Sequence, residues 1–267
     1  MAKQISINII KGSNTIMMTP EQVVDQIWEE NEVLYRASEL QIKAFYDSNP
    51  PKEKLVQNFT RRMVNERMNL TEIMKSIVAS DEGTEPKELM TLCKQALDEA
   101  NHFRMVKDVV EYISGEEIDL GKTVSRELND TFVKGAKLLQ KYNCENDPIA
   151  LALYQAIVEG HASRNWQMMA DCLSDPFLAN TYGKIAADER FHSKIGRMQL
   201  SKLLDTEEKQ EYARDLANKM RKDLFQVNCN GTMRVAESRQ MIDEYYGEDW
   251  ALDAAGEHAT TPIKEIY

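Results

Sequence analysis

Long stretches of the chain carry apolar residues at three- and four-residue spacing, and short segments rich in Pro, Gly, Asn and Asp separate them. In the second stretch, for example, Val56, Phe59, Met63, Leu70 and Ile73 fall on one face of a helix. Gly and Pro are otherwise sparse, and the abundant Glu, Lys, Leu, Ala and Met favour helix. The pattern predicts helices over about 20–47, 52–79, 87–113, 123–142, 148–173, 177–204, 206–226 and 233–246.

The order of these helices predicts an all-α fold with a single domain over residues 1–267. Two helix–loop–helix units, within about 52–113 and 148–204, form an internal repeat and would supply the four core helices of a bundle. The N-terminal, connecting and C-terminal helices are then additional to that core. An extended arm is expected over 1–18 and an irregular tail over 247–267.

Charge and composition argue against several functional classes. The chain has a net charge of −11, whereas nonspecific binding of nucleic acid needs a basic surface. It contains no apolar run long enough to span a membrane, and its first residues lack the apolar segment of a signal peptide. The four cysteines form no Cys-x-x-Cys pair, which argues against a disulfide framework or sulfur-ligated zinc. We therefore expect a cytoplasmic protein that binds neither nucleic acid nor membranes.

One short pattern, Asp-Glu-x-x-His, occurs twice on predicted helices, as Asp98-Glu99-Ala-Asn-His102 and as Asp188-Glu189-Arg-Phe-His192. Residues three apart on a helix lie on one face, with their Cβ atoms roughly 5–6 Å apart. Each copy therefore presents a carboxylate and an imidazole side by side. Two such helices, with one further Glu from each of two others, can build a site for two metal ions in a four-helix bundle.

The positions of the two further glutamates follow from the hairpin geometry. Residues at equal distance from the turn lie side by side in a pair of antiparallel helices. Glu66 and Glu99 are 33 residues apart and Glu159 and Glu189 are 30 apart, and each midpoint falls in a predicted loop. At about 1.5 Å per residue, both pairs lie roughly 22–25 Å from their turns. All four glutamates are thus expected at one level in the middle of the bundle.

Glu72 is the rival to Glu66, because its midpoint with the first motif also falls in the loop. Its neighbours at helical spacing, Asn69, Lys75 and Ser76, are polar, which indicates a solvated face. Glu66 instead lies within the apolar stripe, where a carboxylate is costly unless it is paired or bound to a metal. Glu66 is therefore the preferred ligand.

The donor set indicates the metal. Four carboxylates and two neutral imidazoles carry a charge of about −4, which two divalent ions would cancel. Oxygen-rich ligation with two nitrogens and no sulfur suits iron, with manganese or a mixed manganese–iron pair as alternatives, whereas zinc prefers four ligands. The expected ligands are Glu66, Glu99, His102, Glu159, Glu189 and His192.

With these motifs, residues 52–204 resemble the ferritin-like di-iron carboxylate superfamily. The paired Asp-Glu-x-x-His is similar to the oxygen-activating branch, which includes bacterial multicomponent monooxygenases and phenylacetyl-CoA epoxidase catalytic subunits. The resemblance implies a ferritin-like four-helix bundle and an O2-dependent oxidase or oxygenase. It also implies that Asp98 and Asp188 each hydrogen-bond a ligating His of the other motif.

Two residues near the ligands are candidates for catalysis. Ser163 lies one turn after Glu159 and matches a hydroxyl position of the monooxygenase branch, so it could donate to bound oxygen species, and Tyr154 could lie near the metals. The same helix face carries small residues, which either leave a cavity for a substrate or allow close helix packing. These small residues are Ala152, Ala156, Ala162 and Ser163.

The leading hypothesis is an O2-activating di-iron enzyme that oxidises a C–H bond, a C=C bond or an amine nitrogen of a small molecule. No Gly-x-Gly-x-x-Gly fingerprint is present, so a separate ferredoxin or reductase is expected to supply electrons. The alternative is a ferroxidase or iron-storage protein, although ferritins are usually shorter. A radical subunit like that of ribonucleotide reductase would need a Tyr where this chain has Val106. The sequence is also compatible with a homodimer.

Overall fold

A computed structural model describes residues 18–129, 135–229 and 235–250 and shows an all-α fold, which confirms the predicted class. No strand occurs among these residues. The α-helices of the described segments are α1 (Pro20–Asp47), α2 (Lys52–Val78), α3 (Pro86–Ser114), α4 (Leu120–Leu128), α5 (Lys137–Lys141), α6 (Pro148–Tyr154), α7 (Gly160–Cys172), α8 (Pro176–Leu203), α9 (Glu207–Cys229) and α10 (Ala236–Tyr246). A π-helical segment, Gln155–Glu159, joins α6 to α7.

Capping residues set the starts of the main helices. Thr19 and Gln22 form a reciprocal capping box at α1, with Pro20 in the first helical position. The carboxylate of Asp147 accepts a hydrogen bond from the backbone of α6, and that of Asp175 accepts two from the backbone of α8. These contacts place the helix ends close to the boundaries that the sequence predicts.

Two antiparallel hairpins form the centre of the molecule. Helices α2 and α3 pack along their lengths, and α8 packs along α6, the π-helical segment and α7. The connecting loops, 79–85 and 173–175, contain the two midpoints from which the ligand positions were predicted. The bundle interior contains an apolar cluster from α2, α3, α7 and α8, which includes Phe59, Met63, Val106, Trp166 and Tyr182.

Helix α1 covers the second hairpin, because it packs on α7 and α8 and also on α9 and α10. A second apolar cluster, which includes Val23, Leu34, Leu153, Ile157 and Phe225, fills the space between these elements. The additional N- and C-terminal helices therefore enclose one side of the second hairpin. None of the helices in the described part of the chain combines the length and apolar character that a membrane span requires.

Three local predictions differ from the structure. The single connecting helix expected over 123–142 is wrong, since α4 and α5 are separate and Asn129, Gly135 and Ala136 are non-helical. The continuous helix expected over 148–173 is interrupted by the π-helical segment. Residues 248–250 are helical where an irregular tail was expected, and 251–267 and nearly all of the predicted arm 1–18 lie outside the described residues.

Small residues allow a close approach of α8 to the chain that carries Glu159. A Cβ built on Gly196 would lie 2.5 Å from the Ala152 carbonyl oxygen and 2.5 Å from the Ala156 nitrogen. A Cβ on Gly160 would lie 2.9 Å from both the Ser193 and the Tyr35 hydroxyl oxygens. Of the two interpretations of the small residues, close helix packing is therefore the one observed at these positions.

Substitution of Gly196 by Ala should lower the free energy of unfolding by about 2 kcal/mol or more, because the new methyl group meets backbone atoms that cannot move aside locally. Gly183→Ala, in the same helix, is the matched control. A Cβ there would meet nothing within 4 Å, so it should raise the unfolding free energy by about 0.5–1 kcal/mol. Urea unfolding of both variants checks this, and equal effects at the two positions would contradict the packing described.

Candidate metal centre

Six acidic and imidazole side chains converge between the two hairpins. They are supplied by α2, α3, the π-helical segment and α8, and each is at most 3% exposed. The residues are Glu66, Glu99, His102, Glu159, Glu189 and His192. All six ligands expected from the sequence thus lie in one buried cluster.

The cluster divides into two groups that share two glutamates. One group contains Glu66 and His102, the other contains Glu159 and His192, and both include Glu99 and Glu189. Within each group, one possible ligand atom from every residue lies within 4.8 Å of the others. This arrangement suits two adjacent ions, each with its own Glu and His, bridged by the two glutamates of the repeated motifs.

Both imidazoles point the same ring nitrogen at the carboxylates. His102 Nδ1 lies 3.3 Å from Glu189 Oε1 and 3.6 Å from Glu66 Oε2. His192 Nδ1 lies 3.1 Å from Glu189 Oε2 and 3.5 Å from Glu99 Oε1. Since the Nδ1 atoms face the shared glutamates, they are the nitrogens available to bind an ion.

The opposite ring nitrogens contact the aspartates of the other motif. His102 Nε2 lies 3.3 Å from Asp188 Oδ2, and His192 Nε2 lies 3.1 Å from Asp98 Oδ2. Lys94 in turn forms an ion pair with Asp98 at 2.5 Å. With a neutral imidazole, an N–H donated to each Asp leaves Nδ1 as a lone-pair donor toward the cluster. The crossed contacts expected from the resemblance are thus present.

The π-helical segment ends at Glu159 and is stabilised from two neighbouring helices. The Ser193 hydroxyl donates to the Ala156 carbonyl at 3.1 Å, and the Tyr35 hydroxyl donates to the Ile157 carbonyl at 2.7 Å. Side chains of α8 and α1 thereby satisfy carbonyls of the widened turn. Single π-helical turns frequently occur at functional sites, and this one sets the position of a candidate ligand.

Burial and mutual repulsion alter the acidity of the carboxylates. Burial, and then the charge of Glu189, hold the pKa of Glu99 and of Glu159 well above the usual range. Burial also raises the pKa of Glu66. For Glu189, burial acts in the same direction, but His102 and His192 outweigh it and lower the pKa.

Burial acts on the imidazoles in the opposite sense, but the neighbouring carboxylates outweigh it. Burial acts to lower the pKa of His192, but its contacts with Asp98 and Glu189 outweigh burial and raise that pKa to about 9. The pKa of His102 is likewise raised despite burial, first by Asp188 and then by Glu189. Protons therefore partly neutralise the cluster when no cation does so.

Several polar atoms of the cluster have no hydrogen-bond partner among the described residues. They are Glu66 Oε2, both carboxylate oxygens of Glu99, Glu159 Oε1 and His102 Nδ1. Buried polar atoms without partners are costly, and four buried carboxylates repel one another. Cations among these atoms would provide the missing partners and would balance the repelling carboxylates. The cluster can therefore hold metal ions, and its oxygen-rich donors fit iron or manganese.

The two candidate catalytic residues occupy different surroundings. The Tyr154 hydroxyl donates to Asn69 at 3.1 Å, and burial, followed by the charges of Glu159 and Glu99, raises its pKa well above normal. Tyr154 is therefore a neutral phenol close to the cluster. The Ser163 hydroxyl donates a hydrogen bond to the Ala186 carbonyl at 3.0 Å. This contact does not support donation to bound oxygen species.

The prediction that Glu72 lies on a solvated face is wrong. Glu72 is buried, and it accepts hydrogen bonds from Lys75 and from Gln140 of α5 at 2.9 and 2.7 Å. The contact with Gln140 depends on tertiary packing that the local pattern does not reveal. Glu72 is nevertheless absent from both ligand groups, so Glu66 remains the candidate ligand from α2.

A buried amide pair adjoins the cluster and was not among the predicted site residues. Gln155 donates to Gln95 at 2.7 Å, and each lies four residues before a candidate ligand on its own helix. Polar residues at four-residue spacing from a ligand, on an otherwise apolar face, are the signal that could have identified them. Their contact links α3 to the π-helical segment beside the ligands.

The protein should bind two divalent ions per chain, measured by titration with Fe(II) or Mn(II) in the absence of O2. Binding requires carboxylates without protons and neutral imidazoles, so it releases protons, and the affinity should rise from about pH 6 to about pH 8. Glu99→Gln removes a shared ligand and should abolish binding of the pair, whereas Glu88→Gln, on the surface of α3, should bind as the parent does. Two-ion binding by Glu99→Gln would contradict the shared-ligand arrangement.

Asp98→Asn should weaken metal binding by about 10- to 100-fold, because the amide no longer anchors the His192 ring as a carboxylate does. Competition with a chelator of known affinity measures this change. Asp108→Asn is the control, since Asp108 forms an ion pair with Arg104 on the surface of α3, away from the imidazoles. An unchanged affinity in Asp98→Asn would show that the Asp–His contact does not orient the ligand.

Comparison with known proteins gives no match: no family model fits the sequence, and no curated protein or solved structure matches the chain. The functional assignment therefore depends on the geometry and chemistry of this site.

Proposed function

We propose that the protein is an O2-activating oxidase or oxygenase that uses a pair of iron ions, with manganese as the alternative metal, to oxidise a small organic molecule. The observation that carries the proposal is the set of two ligand groups that share Glu99 and Glu189. An iron pair bound there would supply the redox chemistry that protein side chains lack. The ferritin-like resemblance of the repeated motif supports the same assignment.

The chain's own residues would hold the ions, orient the imidazoles and exclude water. Asp98 and Asp188 fix the rings, and the near-complete burial of the six ligands limits solvent access. Insertion of one oxygen atom into a substrate consumes O2, two electrons and two protons and releases water. A separate ferredoxin or reductase would supply the electrons, and a homodimer is compatible with this scheme.

The amount of Fe(II) that each chain oxidises distinguishes an oxidase from a ferroxidase or storage protein. We expect protein loaded with two Fe(II) per chain to consume O2 once and then stop, because the resident ions are oxidised and no further iron enters. Addition of a chemical reductant should restart O2 consumption. An oxygen electrode measures O2 consumption, and Fe(III) absorbance measures oxidation of the iron.

Substitution of a candidate ligand is compared with substitution of an exposed glutamate. Glu159→Gln removes a ligand of one ion and should abolish O2 consumption, whereas the exposed Glu145→Gln should consume O2 as the parent does. Continued oxidation of added Fe(II) well beyond two ions per chain, with formation of a mineral, would reject the oxidase and favour iron storage.

A further inference from the structure

A partly open cavity of about 230 Å³ lies beside the cluster, and Glu66 forms part of its wall. It lies between α2 and α7, with residues of the π-helical segment and of α9 also in its wall, and that wall combines polar and apolar side chains. If each water occupies ~30 Å³, the cavity holds about eight waters, which limits an occupant to a small molecule. Its polar residues from these two helices are Asn58, Arg61, Arg62, Asn65, Glu66, His161 and Asn165.

Arg62 is held in a fixed orientation in this wall. Its Nε donates to the Asn58 side chain at 3.0 Å, and its guanidinium carbon lies 4.9 Å from the centre of the Trp166 ring. Arg62 forms no ion pair with a carboxylate of the described residues. A guanidinium that is oriented by an aromatic ring and lacks an acidic partner is well suited to bind a carboxylate.

Asn165 supplies a second polar contact on the opposite wall. The residue is buried, with a relative exposure of 5%, and its Oδ1 has no hydrogen-bond partner within the described part of the chain. The Nδ2 group is directed at the His161 ring, 3.1 Å from Nδ1. A ligand with an N–H or O–H donor would satisfy the unpartnered oxygen, which is otherwise costly to bury.

We propose that this cavity is the substrate site and that it binds a small amino acid or hydroxy acid. The carboxylate pairs with Arg62, and the amino or hydroxyl group donates to Asn165 Oδ1. This inference rests on the proposed function, since it makes the molecule in the cavity the one that is oxidised. It narrows the substrate from any small organic molecule to an acid with a nearby hydrogen-bond donor.

The spacing of the wall residues limits where such a molecule is oxidised. Arg62 and Glu66 are four residues apart in α2, which is roughly 6 Å along the helix axis. A substrate anchored at Arg62 therefore directs an atom a few bonds from its carboxylate toward the ligands. Oxidation close to the acid group, rather than at the end of a long chain, is expected.

The test is calorimetric titration of the metal-loaded protein, without O2, with L-valine, L-leucine, L-phenylalanine and their 2-hydroxy acid analogues. Each acid is compared with its carboxamide, which keeps the shape and loses the charge. At least one acid should bind ten or more times tighter than its amide. Arg62→Gln should weaken that binding at least tenfold, and Arg62→Lys should weaken it less.

Arg104→Gln, an exposed arginine on α3, is the matched control and should leave binding unchanged. Asn165→Ala, a second variant, should weaken binding of the same acid without loss of the preference over the amide. No binding by any acid, equal binding of acids and amides, or equal effects of Arg62→Gln and Arg104→Gln would overturn the proposal.

Acid binding and O2 consumption are measured independently, so the carboxylate site and the oxidase can be rejected separately. Binding that requires Arg62, in a protein that consumes no O2, would support the carboxylate site and reject the oxidase. O2 consumption in a protein that binds none of the acids would reject the carboxylate site alone.

Discussion

Four carboxylates lie in the interior of a helical bundle, and the rest of the structure is arranged around the charge that they carry. Glu66, Glu99, Glu159 and Glu189 are each at most 3% exposed, and two imidazoles of the described residues, those of His102 and His192, lie among them. Removal of one ionised carboxylate from water costs several kcal/mol even after relaxation. A fold that maintains four of them needs cations to balance them, and protons on Glu99, Glu159 and the imidazoles are only a partial substitute.

The internal repeat explains how the fold assembles this site. Each hairpin contributes one Glu from its first half and one Glu-x-x-His from its second helix, so each ligand group needs one Glu from the other hairpin. The two glutamates common to both groups and the crossed Asp–His contacts all belong to α3 and α8. Metal binding would therefore also join the two halves of the bundle, which couples the stability of the fold to occupancy of the site.

The sequence was sufficient to predict the main helices, their pairing and the six clustered residues, because these depend on local rules. Proline and capping residues mark the helix starts, and equal distance from a turn brings Glu66 level with Glu99. The features that were missed depend on long-range contacts. The π-helical segment is stabilised by Tyr35 and Ser193, which lie far away in the chain, and Glu72 is buried by Gln140.

The cavity beside Glu66 was missed for a related reason. Arg62 lies four residues before Glu66, and this spacing is visible in the sequence. An Arg on a helix is, however, usually exposed to solvent. Only the contacts with Asn58 and with Trp166 of α7 show that its guanidinium has a defined position. Close packing at Gly160 and Gly196, on the other side of the second hairpin, likewise became evident only from interhelical distances.

Occupancy of the cluster by two metal ions is tested most directly by anomalous X-ray diffraction from crystals of the purified protein, recorded at the iron and manganese absorption edges. We expect two anomalous peaks about 3.5–4 Å apart, enclosed by the four glutamates, His102 and His192. Crystals soaked in excess metal that show no peak in this cluster, with the glutamates hydrogen-bonded to one another as neutral acids, would show that the cluster is not a metal centre.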